Sequence, residues 1–388
     1  MTQSTNFTFK VLLYLIVCFF TLLNCTEKSK QETFPTIHID PDMEPKEADL
    51  SELATEIKVV PLETNLACLI GGWSHLEYVD EKYIIYRSSS KSDKALLIFN
   101  SQGGFLNKID AYGEGPEEYT SIESVLFDSD KELIYISDHR KVQVYNMKGN
   151  FIKSLKTSFP IGGLYQNHDG QFLVPVQQIY AESNRDMLHI MDAEMQLVKS
   201  IKSRNPEVIS DIQQGYRYHG DPIEANNQFF YKEPFVDTLY EIRGTGLKPY
   251  MKFDLNGKGF STRDGINPEN YQQNAKRKIP PIGPKVGDNL IFIQYTYIDA
   301  EYLSIYDKAS QKNIFHKKFL FTSLENNPLS LGINNDLVEG SPAFLPKYVK
   351  DNIMVSVVEP GNLTKDQRAM FKVKREDNPI LLIATIKD

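Results

Sequence analysis

Residues 133–155 read Leu133-Ile-Tyr-Ile-Ser-Asp-His-Arg-Lys-Val-Gln-Val-Tyr-Asn-Met-Lys-Gly-Asn-Phe-Ile-Lys-Ser-Leu155. Apolar side chains alternate with their neighbours over Leu133–Tyr135 and again over Val142–Val144, which is the period of two that strands show. Asn146–Gly149 then supplies a polar turn whose glycine can adopt a positive φ. The stretch therefore predicts three short strands joined by two tight turns.

The same pattern recurs on both sides of this stretch, over Leu97–Ile109 and over Leu188–Ile201. Aligned on Phe99, Tyr145 and Met191, the three copies are spaced 46 residues apart. A repeat of this length that consists only of strands and turns is typical of the blades of a β-propeller.

We therefore predict an all-β fold over residues 51–388, a six-bladed β-propeller with about four antiparallel strands in each blade. The regular spacing of the repeats breaks down over residues 254–288, and this segment lacks a strand pattern. An insertion between blades four and five is therefore expected there. Whether it covers the central channel stays open. Because unpaired strand edges favour aggregation, Ile57–Val60 is expected to close the ring by pairing with the C-terminal blade. The expected blade segments are 73–109, 124–155, 163–201, 221–253, 289–315, and 352–357 together with 379–386.

Three local features add to this plan. Pro175 lacks a backbone donor, so a bulge or a sheet edge is expected at that position of blade three. Thr364–Gln367 has the pattern of a capping box and predicts a short helix through Phe371. Cys68 lies in the apolar run Leu66–Ile70, which favours a buried structural thiol over a nucleophile.

The N-terminal residues 1–24 have the properties of a signal peptide. Lys10 precedes thirteen mostly apolar residues, Val11–Leu23, too few to span a bilayer of about 30 Å as a helix. The segment ends in Leu22-Leu-Asn-Cys25, which resembles a bacterial lipobox, so lipid attachment is expected at Cys25. Residues 25–50 are polar and proline-punctuated and are predicted to form a flexible tether. The expected location is the bacterial outer membrane, with membrane contact through the lipid anchor, and the leaflet stays open.

Composition restricts the function classes. Hydrophobic residues make up 41% of the 388 residues, enough for a large core. A net charge of −8 without a long basic tract argues against nucleic acid as a partner.

Once Cys18 leaves with the signal peptide and Cys25 carries lipid, one thiol remains, so no intrachain disulfide is expected. A monomer is the expected state.

The segment Gly113–Tyr119 reads Gly-Glu-Gly-Pro-Glu-Glu-Tyr. Three carboxylates and a tyrosine on one loop predict a site for a cation or for a network of sugar hydroxyls. The alternative is a compact turn between two blades with solvated glutamates. The candidate ligand-binding residues here are Glu114, Glu117 and Tyr119.

Asp138, His139 and Arg140 place an acid, a base and an anion anchor on one turn. His139 is the best candidate for a general base because histidine titrates near neutral pH, and Asp138 is its neighbour. Arg140 is a candidate ligand-binding residue. The alternative is that Asp138 caps the local backbone, as aspartates at turns often do.

The segment Tyr216–Asp221 mixes aromatic and charged side chains just before blade four. Aromatic faces stack on sugar rings, and arginine and aspartate bind hydroxyls, so a recognition loop is predicted; packing over a blade edge is the alternative. The seven histidines form no paired zinc motif, so no metal residues are assigned. The candidate ligand-binding residues here are Tyr216, Arg217, His219 and Asp221.

Residues 133–155 resemble an NHL-type repeat, and the whole chain after the signal peptide resembles the six-bladed β-propeller lipoproteins of Bacteroidetes. The wider resemblance rests on Val60–Thr64, Gly113–Tyr119 and Asn378–Leu381. It implies a propeller anchored in the cell envelope of a species from that group, where neighbouring systems handle glycans. The residues of the NHL-type pattern are Asp138, Arg140, Val142, Gln143, Val144 and Tyr145.

Three functions stay open. The first is a non-catalytic binding propeller that recognises a glycan, a peptide or an envelope protein through loops at one end of the ring. The second is a lactonase-like hydrolase or lyase with carboxylates at the central channel; calcium is the cofactor that such a site would hold, and otherwise none is expected. The third is a scaffold that docks an outer-membrane transporter or sensor. The fold by itself does not decide among them.

Overall fold

The computed structural model describes residues 34–387 apart from 72–73, 90–93, 178–184, 208 and 210–215. The predicted signal peptide and Cys25 lie outside the described residues. Within them the chain forms six sheets, and each sheet is one blade of a β-propeller. The predicted six-bladed fold is confirmed.

The first three blades are antiparallel sheets of four strands, each strand paired with the next along the chain. Blade 1 contains β3 (Ser74–Val79), β4 (Tyr83–Ser89), β5 (Lys94–Asn100) and β6 (Phe105–Ile109). Blade 2 contains β7 (Ser124–Asp128), β8 (Leu133–Asp138), β9 (Lys141–Asn146) and β10 (Phe151–Lys156). Blade 3 contains β11 (Tyr165–Gln166), β12 (Phe172–Pro175), β13 (Asp186–Met191) and β14 (Leu197–Lys202).

Blades 4 and 6 each include one strand from the N-terminal part of the chain, whereas blade 5 consists of four consecutive strands. Blade 4 contains β15 (Pro222–Ala225), β16 (Gln228–Lys232), β17 (Thr238–Arg243), β18 (Gly246–Asp254) and, parallel to β18, β1 (Thr36–His38). Blade 5 contains β19 (Lys285–Val286), β20 (Leu290–Tyr297), β21 (Ala300–Asp307) and β22 (Lys312–Leu320). Blade 6 contains β23 (Tyr348–Lys350), β24 (Ile353–Val358), β25 (Ile380–Ile386) and β2 (Ala54–Pro61).

Helices occupy only connections between strands. The insertion after blade 4 holds two of them, and the connection inside blade 6 holds the one that the capping-box pattern predicts. In that helix the Thr364 hydroxyl accepts from the Gln367 backbone at 3.2 Å and the Gln367 side chain accepts in return, so the prediction is confirmed. The helices are α1 (Leu50–Leu53), α2 (Thr262–Ile266), α3 (Pro268–Ala275), α4 (Phe321–Asn326) and α5 (Lys365–Phe371).

The middle strands of the blades are buried on both faces because neighbouring blades pack against each other. Residues Leu96–Phe99 of β5 are all buried, which is why this strand reads as a continuous apolar run. One apolar cluster joins Val60 and Leu381 of blade 6 to Ile84 and Leu97 of blade 1. The core therefore lies between blades and depends on the ring being closed.

The ring closes through the N-terminal strand, as predicted. β2 pairs antiparallel with β25 from Ala54 opposite Ile386 to Pro61 opposite Ile380. The connection after β2 is tied to the C-terminal segment by Asn378, which is buried and whose amide donates to the backbone oxygens of Glu63 at 2.6 Å and Cys68 at 2.8 Å. Two of the segments that carry the family resemblance thus meet at the closure.

Part of the predicted tether is folded. Residues Thr36–His38 form β1 on the edge of blade 4, and Lys46 forms a bridge with His316 of blade 5. The sequence of residues 36–50 did not indicate these contacts, because a strand of three residues is too short to show a clear alternation of apolar and polar side chains. The flexible segment expected over residues 25–50 is therefore corrected for residues 36–50, which pack on the propeller.

Several first strands of blades are too short for the sequence to reveal. β11 and β19 have two residues each and β23 has three, and β19 lies inside the segment that was expected to lack strands.

Pro175 is the last residue of β12. The pairing of β12 with β11 has already ended at this position, so the missing backbone N–H of the proline leaves no hydrogen bond unmade on that side. Cys68 is fully buried, as predicted, and burial raises the pKa of its thiol.

The connections fall on two faces of the ring because the strands of a blade alternate in direction. The connections from one blade to the next lie on the same face as those between the second and third strands of a blade. We call this the upper face. The three predicted site segments, 113–119, 138–140 and 216–221, all belong to connections on the upper face.

Candidate functional site

The centre of the ring holds a cavity of about 300 Å³ that is lined by the first strand of all six blades. Pockets of about 300 to 1,000 Å³ are the usual size of ligand sites in proteins. The strands that border it are β3, β7, β11, β15, β19 and β23. The first strands are therefore the part of the fold that builds the candidate site.

Acidic side chains in the central cavity have basic partners. Glu77 Oε1 lies 2.6 Å from the Nε atom of Arg87, and Glu224 Oε2 lies 3.0 Å from the Nζ atom of Lys350. The Lys350 ammonium also lies 5.3 Å from the centre of the Tyr78 ring, within the range of a cation–π contact. The carboxylates thus hold the cavity wall in place through ion pairs.

Three tyrosines, Tyr78, Tyr165 and Tyr348, also line the central cavity. Burial raises the pKa of Tyr78, Tyr165 and Tyr348, so all three hydroxyls stay protonated at neutral pH. The Tyr78 hydroxyl donates to Asp80 Oδ2 at 2.9 Å. Protonated phenols can donate to and accept from ligand hydroxyls, and their rings offer apolar faces.

A second cavity of about 340 Å³ opens beside the first on the upper face, and we call it the mouth pocket. Its walls are the segment Tyr218–Asp221, Tyr271 of α3, Lys232 and the proline-rich segment Pro280–Pro284. It shares Ile223 and Pro284 with the central cavity. The insertion after blade 4 therefore borders the mouth of the channel.

Aromatic contacts hold the segment 216–221 against the insertion. The ring centre of Tyr216 lies 5.3 Å from that of Tyr271, and Tyr271 lies 5.5 Å from Phe260. Tyr218 packs edge to face on Phe235 at 5.0 Å, and its hydroxyl donates to the backbone oxygen of Gly265 at 2.9 Å. Tyr216 and Tyr218 therefore pack against neighbouring segments, as the packing alternative expects.

His219 and Asp221 form the charged pair of the mouth pocket. His219 Nδ1 lies 3.1 Å from Asp221 Oδ1, and both residues line the pocket. The hydrogen bond with Asp221 raises the pKa of His219, against the effect of burial. Tyr216 and Arg217 are exposed on the outer side of the same segment. Two of the four predicted residues therefore line the pocket directly.

Lys232 lies at the end of β16 and lines the mouth pocket with only 8% of its surface exposed. Its ammonium donates to the backbone oxygen of Glu233 at 3.1 Å. Burial lowers the pKa of Lys232 to about 8, and the carboxylates of Asp237 and Glu233 oppose that effect. A charged group held this deep in a cavity wall costs stability, and groups with such shifted pKa values occur most often at ligand-binding and catalytic sites.

The segment Gly113–Tyr119 is built as a compact turn. Tyr119 is fully buried, and its hydroxyl donates to backbone oxygens of Lys94 at 2.8 Å and Ile109 at 3.0 Å. The Glu118 carboxylate accepts from the Gly115 backbone at 2.8 Å. Glu114 and Glu117 are exposed. The Tyr119 hydroxyl is thus occupied within the fold, and neither glutamate is among the residues that line the two cavities.

Residues of the NHL-type pattern fasten this turn to blade 2. The Gln143 amide donates to the backbone oxygens of Pro116 at 3.1 Å and Glu118 at 2.8 Å, and the Tyr145 hydroxyl donates to that of Glu117 at 2.6 Å. The pattern therefore has a structural purpose in this chain, which is to hold the connection between blades 1 and 2.

The turn at residues 138–140 is fixed by the side chain of Asp138. Asp138 is buried and accepts from the Thr120 backbone and from the hydroxyls of Thr120 and Ser121, each at 2.9 Å. These hydrogen bonds lower the pKa of Asp138 against the effect of burial. His139 has a φ of 52° and is exposed, as is Arg140. Asp138 is a backbone anchor, the alternative that turn chemistry favoured.

Among the described residues, no three His, Cys, Asp or Glu side chains lie close enough together to hold a metal ion. In the same part of the chain, no helix has the length and apolar character that crossing a bilayer requires.

Sequence reasoning did not find most of the cavity residues. Lys232 ends an apolar strand, Gln228–Lys232, and looks like an ordinary charged strand end. Tyr165 and Lys285 lie in two-residue strands that have no readable period. One feature of the sequence could have indicated them. In a propeller the first strand of each blade borders the central channel, so polar side chains in these strands are candidates for the channel wall.

The fold and the cavities define a six-bladed β-propeller with a ligand-sized channel. The chain belongs to the family described as a domain of unknown function, DUF4934, whose model matches residues 34–385. None of the curated proteins compared with it matches.

Two solved structures share the fold. One is a protein from Bacteroides fragilis NCTC 9343 that its name describes as exported; it is 19% identical over 92% of this chain and 100% of that chain, with a TM-score of 0.66. The other is a member of the DUF4221 family from Bacteroides vulgatus ATCC 8482, 12% identical over 86% of this chain and 97% of that chain, with a TM-score of 0.54. At such identities the similarity shows the fold alone.

Proposed function

We propose that this protein is a non-catalytic binding propeller of the cell envelope that takes a glycan through the mouth pocket into the central cavity. The observation that carries the proposal is that two cavities, about 340 and about 300 Å³, adjoin each other, with Ile223 and Pro284 in the walls of both. Rings and hydroxyls of tyrosines line both. Sugars present apolar faces and many hydroxyls, so this lining suits them.

The mouth pocket is the proposed point of recognition. His219, Asp221 and Tyr271 offer a donor, an acceptor and an aromatic face around one opening. Arg217 and Tyr216, exposed on the same segment, are proposed to contact parts of a longer ligand outside the pocket. Glu114, Glu117 and Arg140 remain predictions of the same kind, since they are exposed on the upper face beyond the mouth; Tyr119 is withdrawn because its hydroxyl is occupied inside the fold.

The enzyme alternative has weaker support. His139 is exposed on a turn and Asp138 is occupied by the backbone, so the pair does not form an acid–base site. A peptide or an envelope protein as the ligand stays an outcome of the binding test. We also retain the predictions of a monomer and of no nucleic-acid partner.

Glycan binding is tested with the full-length protein, purified in detergent, on a glycan array followed by calorimetry with the glycans that bind. We expect binding by the wild type and a loss of at least about tenfold in affinity for His219→Ala and for Tyr271→Ala, since residues at the centre of a pocket carry most binding energy. His38→Ala is the matched control, because His38 lies 3.0 Å from Asp254 in a similar His–Asp pair on the outside of blade 4. An array without any signal, or equal losses in all three variants, would contradict the proposal.

We also propose that the protein is exported and anchored by lipid on Cys25. The lipobox-like segment Leu22–Cys25 and the similarity to a Bacteroides protein named as exported support it. Cys25→Ser is expected to abolish incorporation of labelled fatty acid and to move the protein from the membrane fraction to the soluble fraction. Cys68→Ser, which alters a buried thiol, is the control and should leave both unchanged. Fatty-acid labelling that survives Cys25→Ser would contradict the anchor.

A further inference from the structure

The charges that line the two cavities do not balance. The carboxylates of Glu77, Glu224 and Asp221 each have a basic partner, at 2.6, 3.0 and 3.1 Å respectively. The charges of Glu77 and Glu224 are therefore neutralised by Arg87 and Lys350, and that of Asp221 is neutralised when His219 is protonated.

Two lysines of the lining have no such partner. Lys232 in the mouth pocket donates only to the backbone oxygen of Glu233, and within the described residues no carboxylate forms an ion pair with it. Lys285, at the upper end of β19, lines the central cavity, and its side chain likewise has no hydrogen bond or ion pair in the part of the chain described. Both positive charges are left for a ligand.

The surroundings of Lys285 add to the excess of positive charge at the central cavity. Burial lowers its pKa, and so does the nearby ammonium of Lys347, which stands just before β23 on the upper face. Two like charges beside a cavity are unfavourable without a counter-ion and become favourable once an anion lies between them. Lys232 is 8% exposed, and the carboxylates of Asp237 and Glu233 only partly offset the effect of its burial.

The positive lining contrasts with the rest of the molecule. The chain carries a net charge of −8, which repels polyanions at long range. Lys232 in the mouth pocket and Lys285 in the central cavity are therefore local positive charges and not part of a general basic surface.

We propose that the glycan taken by the propeller is acidic, and that Lys232 in the mouth pocket and Lys285 in the central cavity each bind an anionic substituent, a carboxylate or a sulfate. This inference rests on the proposed function and adds the substrate class. Inside a cavity wall a charge-assisted hydrogen bond from an ammonium is stronger than in water. Neutral glycans would leave both ammonium groups without a bound anion.

The test compares three polymers by calorimetry with the full-length protein: polygalacturonate, which carries carboxylates, dextran sulfate, which carries sulfates, and neutral dextran. We expect binding of at least one acidic polymer, none of dextran, and affinity that falls as salt is added. Lys232→Met and Lys285→Met should each weaken binding by at least about tenfold. Lys199→Met, at an exposed position of β14, makes the same change in net charge and should have no effect.

The outcomes separate the two proposals. Binding of neutral glycans that is lost in His219→Ala but unchanged in both lysine variants would overturn the acidic ligand and leave the glycan site standing. Equal weakening of acidic polymers by all three lysine variants, Lys199→Met included, would show diffuse charge attraction and also overturn it. Failure to bind any glycan, acidic or neutral, would overturn both. Preference between the first two polymers identifies the substituent.

Discussion

Replacing Asn378 by alanine is expected to lower the free energy of unfolding by about 3 kcal/mol. The Asn378 amide donates to the backbone oxygens of Glu63 and Cys68, and its oxygen accepts from the backbone of Ile70 at 2.8 Å. Each such hydrogen bond contributes about 1 kcal/mol, and the buried groups left without partners add to the loss. The residue is 3% exposed, so water cannot readily replace the amide.

The effect is large because Asn378 fastens the closure of the ring. Its backbone donates to the Thr64 hydroxyl at 2.8 Å, and the neighbouring Pro379 accepts from Leu62 at 3.1 Å, at the point where β2 leaves its pairing with β25. Loosening this junction exposes the edge of blade 6 and the apolar cluster that it shares with blade 1.

Urea denaturation followed by circular dichroism measures the loss. Asn65→Ala is the matched control, because Asn65 is an exposed asparagine in the same connection whose side chain bonds to Glu63 and Ala67. It should cost less than about 1 kcal/mol. Asn378→Asp should be at least as damaging as alanine, since a carboxylate would face the backbone oxygens of Glu63 and Cys68. Similar small losses at both asparagines would show that the junction does not hold the ring.

The architecture was readable from the sequence because its signals are local. Alternation at Leu133–Tyr135 and Val142–Val144 reports strands directly, and Gly149 adopts the positive φ, 79°, that its turn predicts. The pairing of Ile57–Val60 with the last blade follows from the need to remove open edges. Such inferences require no knowledge of which side chains meet.

Only part of the candidate site could be predicted from the sequence, because its walls come from segments that are far apart in the chain. His219 and Asp221 are two residues apart, so their pairing is a local matter. The other side of the mouth pocket is Pro280–Pro284, some sixty residues later, and nothing in either segment indicates the contact. Asn378 illustrates the same limit: the sequence marked its segment as distinctive, but its role depends on carbonyl oxygens more than 300 residues away.

Replacing Lys232 by methionine is expected to raise the free energy of unfolding by about 2 kcal/mol at pH 7. A pKa of about 8 in place of the ordinary 10.5 means that holding the charge in the folded protein costs about 3 kcal/mol. Methionine has a similar length and no charge, so it removes this cost and loses only the hydrogen bond to the Glu233 backbone.

The lowered pKa of Lys232 also determines how the stability difference between the variant and the wild type changes with pH. Below pH 8 Lys232 is protonated in both the folded and the unfolded states, and the wild type bears the full cost. Between about pH 8 and pH 10.5 the unfolded state binds more protons, so this lysine makes wild-type stability rise with pH. The advantage of Lys232→Met should therefore be greatest near pH 7 and shrink towards pH 10.

Urea denaturation at a series of pH values measures this difference, in which other titrating groups cancel. Lys258→Met is the opposing control, because Lys258 pairs with Asp40 and Asp42, whose hydrogen bonds raise its pKa, and its loss should destabilise the protein near pH 7. A Lys232→Met protein that is less stable than the wild type at pH 7 would mean that the ammonium supports the fold. A more stable protein that has lost its acidic ligand would mean that the buried charge is kept for binding, at a cost in stability.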